Sequence, residues 1–235
     1  KVDTILCPIG GGGIIAGIAV AAKGINPNIK IVGVQTANIP SMQESMKNGE
    51  VTTAFKSTTI ADGIAVKTPG DVTFEIINEL VDEVVVVEED EIAQGMLFLM
   101  ENQKVVAEGA GAVTTAALLS GKYVPKKDEN VVCVISGGNV DVNTLYRVIG
   151  TALTKEARRY SFNTVIQDKP GGLAELTKII SEYDANILSA NLSRSSMGGA
   201  LGSLTAEMVL ETFNHDHIDK LKVAITEAGF EIVEI

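Results

Sequence analysis

A chain of 235 residues has room for one large domain or for a large and a small one, and its net charge of −11 at pH 7 argues against nucleic acid or anionic membrane surfaces as partners. It is 46% hydrophobic but only 4% aromatic, with 23 glycines and no Trp. That mix, rich in Val, Ile and Ala, suits an α/β protein with buried aliphatic parallel strands. No apolar run approaches the ~18 residues of a membrane span and no signal peptide is visible, so a cytoplasmic location is expected.

The apolar run Val2 to Ile9 reads as a strand and leads into four consecutive glycines, Gly10 to Gly13. A helix over Ile14 to Lys23, closed by Gly24, is expected to follow. Four adjacent glycines carry a large entropic cost, which close approach of the backbone to an anion would offset. Amides at a helix start point outward, and the helix dipole adds positive charge there. Gly10 to Gly13 therefore read as a phosphate cup. A tight turn without a ligand is the competing explanation, but such a turn rarely needs more than one or two glycines. A dinucleotide site also wants an acidic residue at the end of the second strand. That strand, Lys30 to Gln35, ends in Gln35-Thr36-Ala37, which makes an NAD-dependent oxidoreductase the weaker alternative. No Gly-Lys-Ser/Thr follows the glycines, so a P-loop is excluded.

Ser41 to Lys47 reads as a short helix capped by Ser41 and stopped by Asn48-Gly49. Thr52 to Lys67 is irregular and contains Ala61-Asp62-Gly63. Thr68-Pro69-Gly70-Asp71 caps a helix over Val72 to Leu80, and Asp82 to Glu88, with four successive valines, reads as an interior strand buried on both faces. Glu88-Glu89-Asp90-Glu91 suits a solvated first turn of a helix to about Asn102. A further helix runs from Gly109 to Leu119 and ends at Gly121. Val131 to Ile135 is expected as another buried strand, broken by Ser136-Gly137-Gly138-Asn139, and Asp141 caps a long helix reaching Arg158 or Arg159. Cys7 and Cys133, in strand-like runs, read as buried free thiols without a catalytic role. The chain starts at Lys1 and enters a core strand at once, so its beginning is expected to be missing.

From Tyr160 the pattern changes. Strands over Phe162 to Gln167, Asn186 to Ser193, Thr205 to Glu211 and Phe230 to Ile235, with helices over Leu173 to Tyr183 and Ile218 to Ala228, give the ferredoxin-like order βαββαβ. A Gly-rich turn, Met197 to Gly202, separates the middle strands. His215-x-His217 has metal-like spacing but lacks a third ligand, and an exposed helix cap is the simpler account.

Gly10 to Gly13 and Ser136 to Asn139 both lie at strand ends, where open parallel sheets bind ligands. Together with Ala61-Asp62-Gly63 and Glu108-Gly109-Ala110-Gly111, they resemble segments of the fold-type II pyridoxal-phosphate enzymes, specifically the threonine/serine dehydratases. The resemblance covers about the first 150 residues. It implies pyridoxal 5'-phosphate as cofactor, held by Gly10, Gly11, Gly12 and Gly13, with Ser136 at the ring nitrogen and Gly63 in the pocket. It places the Schiff-base lysine upstream of the glycine loop. No lysine here matches it, neither Lys23, Lys47 nor Lys67, so no catalytic residue is assigned and this chain alone is expected to be inactive. Some relatives hold a divalent cation just after the second strand. The matching places here read Gln35 and Ser41, so no metal is expected.

The last 75 residues, from Ser161, resemble the ACT family of amino-acid-binding regulatory modules through Asp168-Lys169-Pro170-Gly171-Gly172-Leu173. A structural or oligomerising ferredoxin-like domain is the alternative there. The resemblance implies an effector such as isoleucine or valine, bound by Asp168, Pro170, Gly171, Leu173, Asn186 and Ile187. The expected architecture is thus the C-terminal part of a fold-type II open α/β sheet over residues 1–148, a linker helix over 149–160, and an ACT domain over 161–235. The implied activity is conversion of L-threonine or serine, from threonine to 2-oxobutanoate and ammonia, within a homodimer or homotetramer. A non-catalytic amino-acid-sensing or assembly fragment is the rival from another class.

Overall fold

The computed structural model describes residues 1–55, 58–194 and 202–234. The chain divides into two compact units, Lys1–Ile149 and Gly150–Ile235. Among the described residues, no helix is long and apolar enough to cross a membrane.

The first unit is built on four parallel strands, β1 (Thr4–Pro8), β2 (Lys30–Thr36), β3 (Glu83–Val87) and β4 (Val131–Cys133), in the order β3-β2-β1-β4. Between them run α1 (Gly13–Ile25), α2 (Ser41–Asn48), α3 (Asp71–Leu80), α4 (Glu89–Phe98) and α5 (Gly109–Leu119). Side chains alternate across each strand, which explains why the middles of the central strands, Ile5 to Pro8 and Ile31 to Val34, carry no polar side chain. Leu6, Val32 and Val34 join one core with Val87, Ile92, Val113 and Ala116. Cys7, Ile9 and Ile31 join the other with Ile15, Ala19, Met42 and Ile77. Each fully buried Leu or Ile contributes about 1.5–3 kcal/mol relative to exposure.

Several sequence-based expectations are corrected here. The run of valines forms an edge strand, half-buried until Val87, and β4 is the opposite edge, with Val132 exposed. A run of β-branched residues reports strand propensity but not the number of neighbouring strands. Gly24 does not close α1, which continues to Ile25 and is capped by Asn26. Ser41 is not a cap. It is the first helical residue, and its hydroxyl donates to Val66 O at 2.7 Å, across to the irregular segment. Gly49, with φ 76°, does stop that helix. The irregular segment contains one short 3-10 turn, Asp62–Ile64. Helix α4 gives way to a π turn at Leu99–Gln103.

The acidic run at α4 is structural. Glu88 and Glu91 form a capping box, while Glu89 accepts from Thr36 Oγ1 at 2.9 Å and from Ile60 N–H at 2.7 Å. At the start of β1, Glu129 accepts from Thr4 Oγ1, from the Tyr123 hydroxyl at 2.6 Å and from Lys126 N–H at 2.6 Å. These bonds, that of Thr4 foremost, hold its carboxyl down from 4.5 to about 2. A depressed carboxyl stabilises the fold fully above its ordinary value and loses that contribution as pH falls through the folded value. The urea midpoint should therefore decline between about pH 4.5 and about pH 2, and Glu129→Gln should flatten that decline. An equally steep profile for the variant would leave the cluster without a role in acid stability.

A long helix, α6 (Val142–Lys155), carries the boundary between the units, and Asp141 Oδ1 accepts from the N–H groups of Asn143 and Thr144 at its start, both at 2.9 Å. It ends short of the expected Arg158, because Arg159 already belongs to a strand. The second unit has strands β5 (Arg159–Gln167), β6 (Asn186–Ser193), β7 (Ser203–Glu211) and β8 (Val233–Glu234), with α7 (Gly172–Glu182) and α8 (His215–Glu227). The antiparallel order β6-β7-β5-β8 is that of the split βαβ unit. Phe162, Ile166, Ala206, Met208 and Leu210 line the inner face, and Leu176, Ile180, Leu221 and Ile225 pack onto it. The last strand is shorter than expected, starting only at Val233. Met197 to Leu201 of the Gly-rich turn, and Ile235, lie outside the described residues.

Candidate active site

The glycine loop, expected to cup a phosphate, is built from backbone. Gly12 precedes α1 with φ 95°, in the left-handed region, and its carbonyl accepts from Ala16 N–H at 3.0 Å. It is buried, and a Cβ there would lie 2.7 Å from Ile77 Cδ1 and 2.9 Å from Thr73 Cβ. Both the conformation and the contact require glycine. The preceding carbonyl, that of Gly11, accepts from Thr73 Oγ1 at 2.6 Å and from Gly70 N–H at 3.5 Å. Helix α3 thus backs the loop on one side. The other side is open: a Cβ on Gly13 would meet nothing within 4 Å, and one on Gly11 would meet only Val66 Cγ1 at 3.8 Å. Among the described residues the N–H groups of Gly11 and Gly12 have no acceptor. Those of the first turn of α1 have none within the helix. Unpaired amides, positive dipole end and side-chain-free access meet the requirements of an anion.

The segments singled out in the sequence converge on this loop. A Cβ on Gly10 would sit 3.1 Å from Ile64 Cα, so the Asp62–Ile64 turn packs directly on the glycines. A Cβ on Gly63 would lie 3.0 Å from Glu108 Oε1. Glu108 abuts Gly137, accepts from Asn139 N–H at 3.1 Å through Oε2, and donates its own N–H to Gly137 O at 3.3 Å. Gly111 packs under the same loop, where a Cβ would come 2.8 Å from Gly137 O and 3.1 Å from Ser136 O. Ser136 is half-buried, just past β4. Glycine loop, Gly63, Glu108 and Ser136 thus occupy one continuous region at the carboxyl ends of parallel strands.

Two features were missed in the sequence. Thr73 lies unmarked within the helix expected over Val72 to Leu80, and the backing of the loop by Ile64 and Val66 has no motif at all. Gln35, by contrast, explains itself. It is fully buried, donating weakly to Ile9 O at 3.4 Å and accepting from Gln43 N–H at 2.9 Å. Lys23 is tied to Asp82 at 2.9 Å, and Lys47 to Gln43 at 3.1 Å. Burial pushes the Cys7 thiol up to about 12 and raises that of Cys133, which makes thiolate chemistry unfavourable. His217 lies at the start of α8, with Nδ1 accepting from Phe213 N–H at 3.1 Å and Nε2 2.6 Å from Tyr183 O. Among the described residues no group of three or more His, Cys, Asp or Glu could hold a metal ion.

In the second unit, Gly171 precedes α7 with φ 91°, and it and Pro170 are exposed. Asp168 is engaged by Arg194, with Nε 2.8 Å from Oδ2 and a second bond of 3.1 Å, which lower its carboxyl. The expectation of Asp168 facing a ligand ammonium therefore meets an existing ion pair. Leu173 and Ile187 pack partly against the core, and Asn186 donates to Glu211 at 3.2 Å. Gln167 pairs with Ser203 at one end of the sheet, while Asn186 and Arg159 both pair with Glu211 at the other. At the strand rise, those ends are about 25 Å apart, so one copy does not bring the Asp168 loop and Asn186 together.

An open parallel sheet with an anion cup at its carboxyl edge defines a cofactor-binding α/β domain. The family model described as pyridoxal-phosphate dependent enzyme matches residues 1–137. The chain belongs to that family. An L-threonine ammonia-lyase from Thermotoga maritima is 45% identical over 231 residues, covering 98% of this chain and 57% of the relative. The chain thus spans little more than half the length of that relative. Among solved structures, maize serine racemase gives a TM-score of 0.59 at 35% identity, covering 67% of this chain and 49% of the other. The processed form of threonine deaminase isoform 2 from Solanum lycopersicum gives 0.59 at 34% identity, covering 64% and 44%.

Proposed function

We propose that this chain is the C-terminal part of a pyridoxal-phosphate-dependent threonine (serine) dehydratase, which forms 2-oxobutanoate and ammonia from L-threonine. The observation that carries the proposal is the convergence of the open glycine cup, Gly63, Glu108 and Ser136 at one sheet edge. The similarity to a threonine ammonia-lyase across almost the whole chain supports it. When bound, pyridoxal phosphate supplies an electron sink for negative charge at the substrate α-carbon. The amides from Gly11 to Gly13 would hold the phosphate against the positive end of α1. Ser136 would donate a neutral hydroxyl to the ring nitrogen. A serine there would not hold that nitrogen protonated as a carboxylate would, so the ring would be a weaker electron sink. Glu108 holds the Ser136 loop through Asn139 N–H.

The test is release of 2-oxobutanoate from threonine. The full-length protein should release it, whereas this chain, in which no lysine is assigned to the cofactor, should not. In the full-length protein Ser136→Ala should retain the cofactor and lower turnover on the order of a hundredfold, the range of a lost preorganised donor. Product formation by the chain alone, lost on replacing one of its own lysines, would refute the assignment. So would a Ser136→Ala variant with unchanged turnover.

The second unit we assign to amino-acid sensing as an ACT module. Its loop Asp168 to Leu173 would meet Asn186 and Ile187 only across two copies paired edge to edge. Exposed β6 offers such an edge. Isoleucine is the favoured effector, its carboxylate meeting the start of α7 and its side chain Ile187. Calorimetric titration of the chain with isoleucine, valine and threonine should show heat with at least one, lost in Gly171→Asp. A chain that stays monomeric at high concentration and gives no heat leaves this unit a structural domain.

A further inference from the structure

Resting on the cofactor assignment above, we propose that Thr73 is a positioning residue for the phosphate cup. A trans peptide fixes its carbonyl and amide in opposite directions, and no cis peptide bond occurs among the described residues. The Gly11–Gly12 peptide has its carbonyl turned onto Thr73 Oγ1 at 2.6 Å. Its N–H, that of Gly12, is thereby turned away from α3, toward the side left open by Gly11 and Gly13. A hydroxyl has one proton to donate, and this contact is shorter than the 2.9 Å from the same oxygen to Gly70 O. Among the described residues the one other donor to Gly11 O is Gly70 N–H, at a long 3.5 Å. Thr73 therefore decides which way the peptide faces.

Packing reinforces the bond. Gly12 leaves no gap against Thr73 and Ile77, and Ile77, one turn further along α3, is fully buried. The loop cannot slide toward α3, and without the Thr73 hydroxyl it can still rotate about the Gly11–Gly12 peptide, because glycines on both sides impose no torsional preference. The inferred role is orientation of an amide rather than contact with the phosphate.

Apoprotein of the full-length form is reconstituted with pyridoxal phosphate and, separately, with unphosphorylated pyridoxal. Wild type, Thr73→Val and Thr73→Ser are compared. Valine keeps the shape and removes the donor, while serine keeps the donor. Affinity of Thr73→Val for pyridoxal phosphate should fall about tenfold, the scale of one hydrogen bond, with pyridoxal affinity unchanged and serine within about twofold of wild type. Unchanged phosphate-form affinity in Thr73→Val would overturn the inference. Equal losses for both probes would overturn it too, since a merely structural role affects them alike, and so would a serine variant no better than valine. Failure of the wild-type protein to take up pyridoxal phosphate would instead overturn the functional proposal beneath it.

Discussion

Gly109→Ala should unfold the first unit at markedly lower denaturant than the wild-type chain, although the same change in an ordinary helix stabilises by up to about 1 kcal/mol. Gly109 is the first residue of α5, and its Cα faces backbone. A Cβ there would collide with Ile60 O, and would lie 2.7 Å from Ile60 C and 2.9 Å from Ala61 N. No rotamer change relieves such a contact. The facing segment is also held from behind, with Ile60 N–H on Glu89 Oε2 at 2.7 Å and Ala61 N–H on Thr59 Oγ1 at 3.0 Å. Overpacking against fixed backbone puts the net loss near 3 kcal/mol, the upper end of the usual range. Gly17→Ala on α1 is the control. It is exposed with nothing within 4 Å, so it should gain stability. Equal urea midpoints for the two variants would show that α5 and the Ile60 turn do not meet as described.

The glycines of the loop were visible in the sequence because what marks them is the lack of a side chain, and composition records that directly. Strand β1, the glycine loop and the Ser136 loop were all placed within a few residues. The order βαββαβ of the second unit was legible from periodicity alone. What was not legible depends on partners distant in the chain. Whether Val84 to Val86 are covered on both edges is a property of the sheet, and the residues read the same in the interior as at its rim. Ser41 has the right type for a cap, but its hydroxyl reaches Val66, twenty-five residues away. Asp168 reads as available for a ligand, but Arg194, just past the end of β6, is paired with it. Thr73 carried no signal because its acceptor is a carbonyl sixty-two residues earlier.

Two adjacent glycines of the loop should respond to substitution with opposite signs of stability, although both substitutions should weaken cofactor binding. Gly13 is the first residue of α1, and no protein atom lies within 4 Å of where its Cβ would be. Gly13→Ala removes backbone freedom from the unfolded chain at no steric cost, so the thermal midpoint should rise, by the equivalent of about 0.5–1 kcal/mol. The new methyl nonetheless occupies the open face where the phosphate is assigned, and pyridoxal-phosphate affinity in the full-length protein should fall on the order of a hundredfold, a few lost amide contacts at about 1 kcal/mol each. Gly12→Asp, one residue earlier, faces the packed side. Its left-handed φ costs about 1–2 kcal/mol for any L side chain, and the contacts with Ile77 and Thr73 add overpacking of about 1–3 kcal/mol. Its carboxylate also adds negative charge to a loop assigned to an anion, and its strain displaces the loop amides. The thermal midpoint should fall and cofactor retention should vanish. Measured together, melting and cofactor absorbance separate the two faces of the loop. A Gly13→Ala protein that melts higher and still binds pyridoxal phosphate as tightly as wild type would move the phosphate away from Gly10 to Gly13.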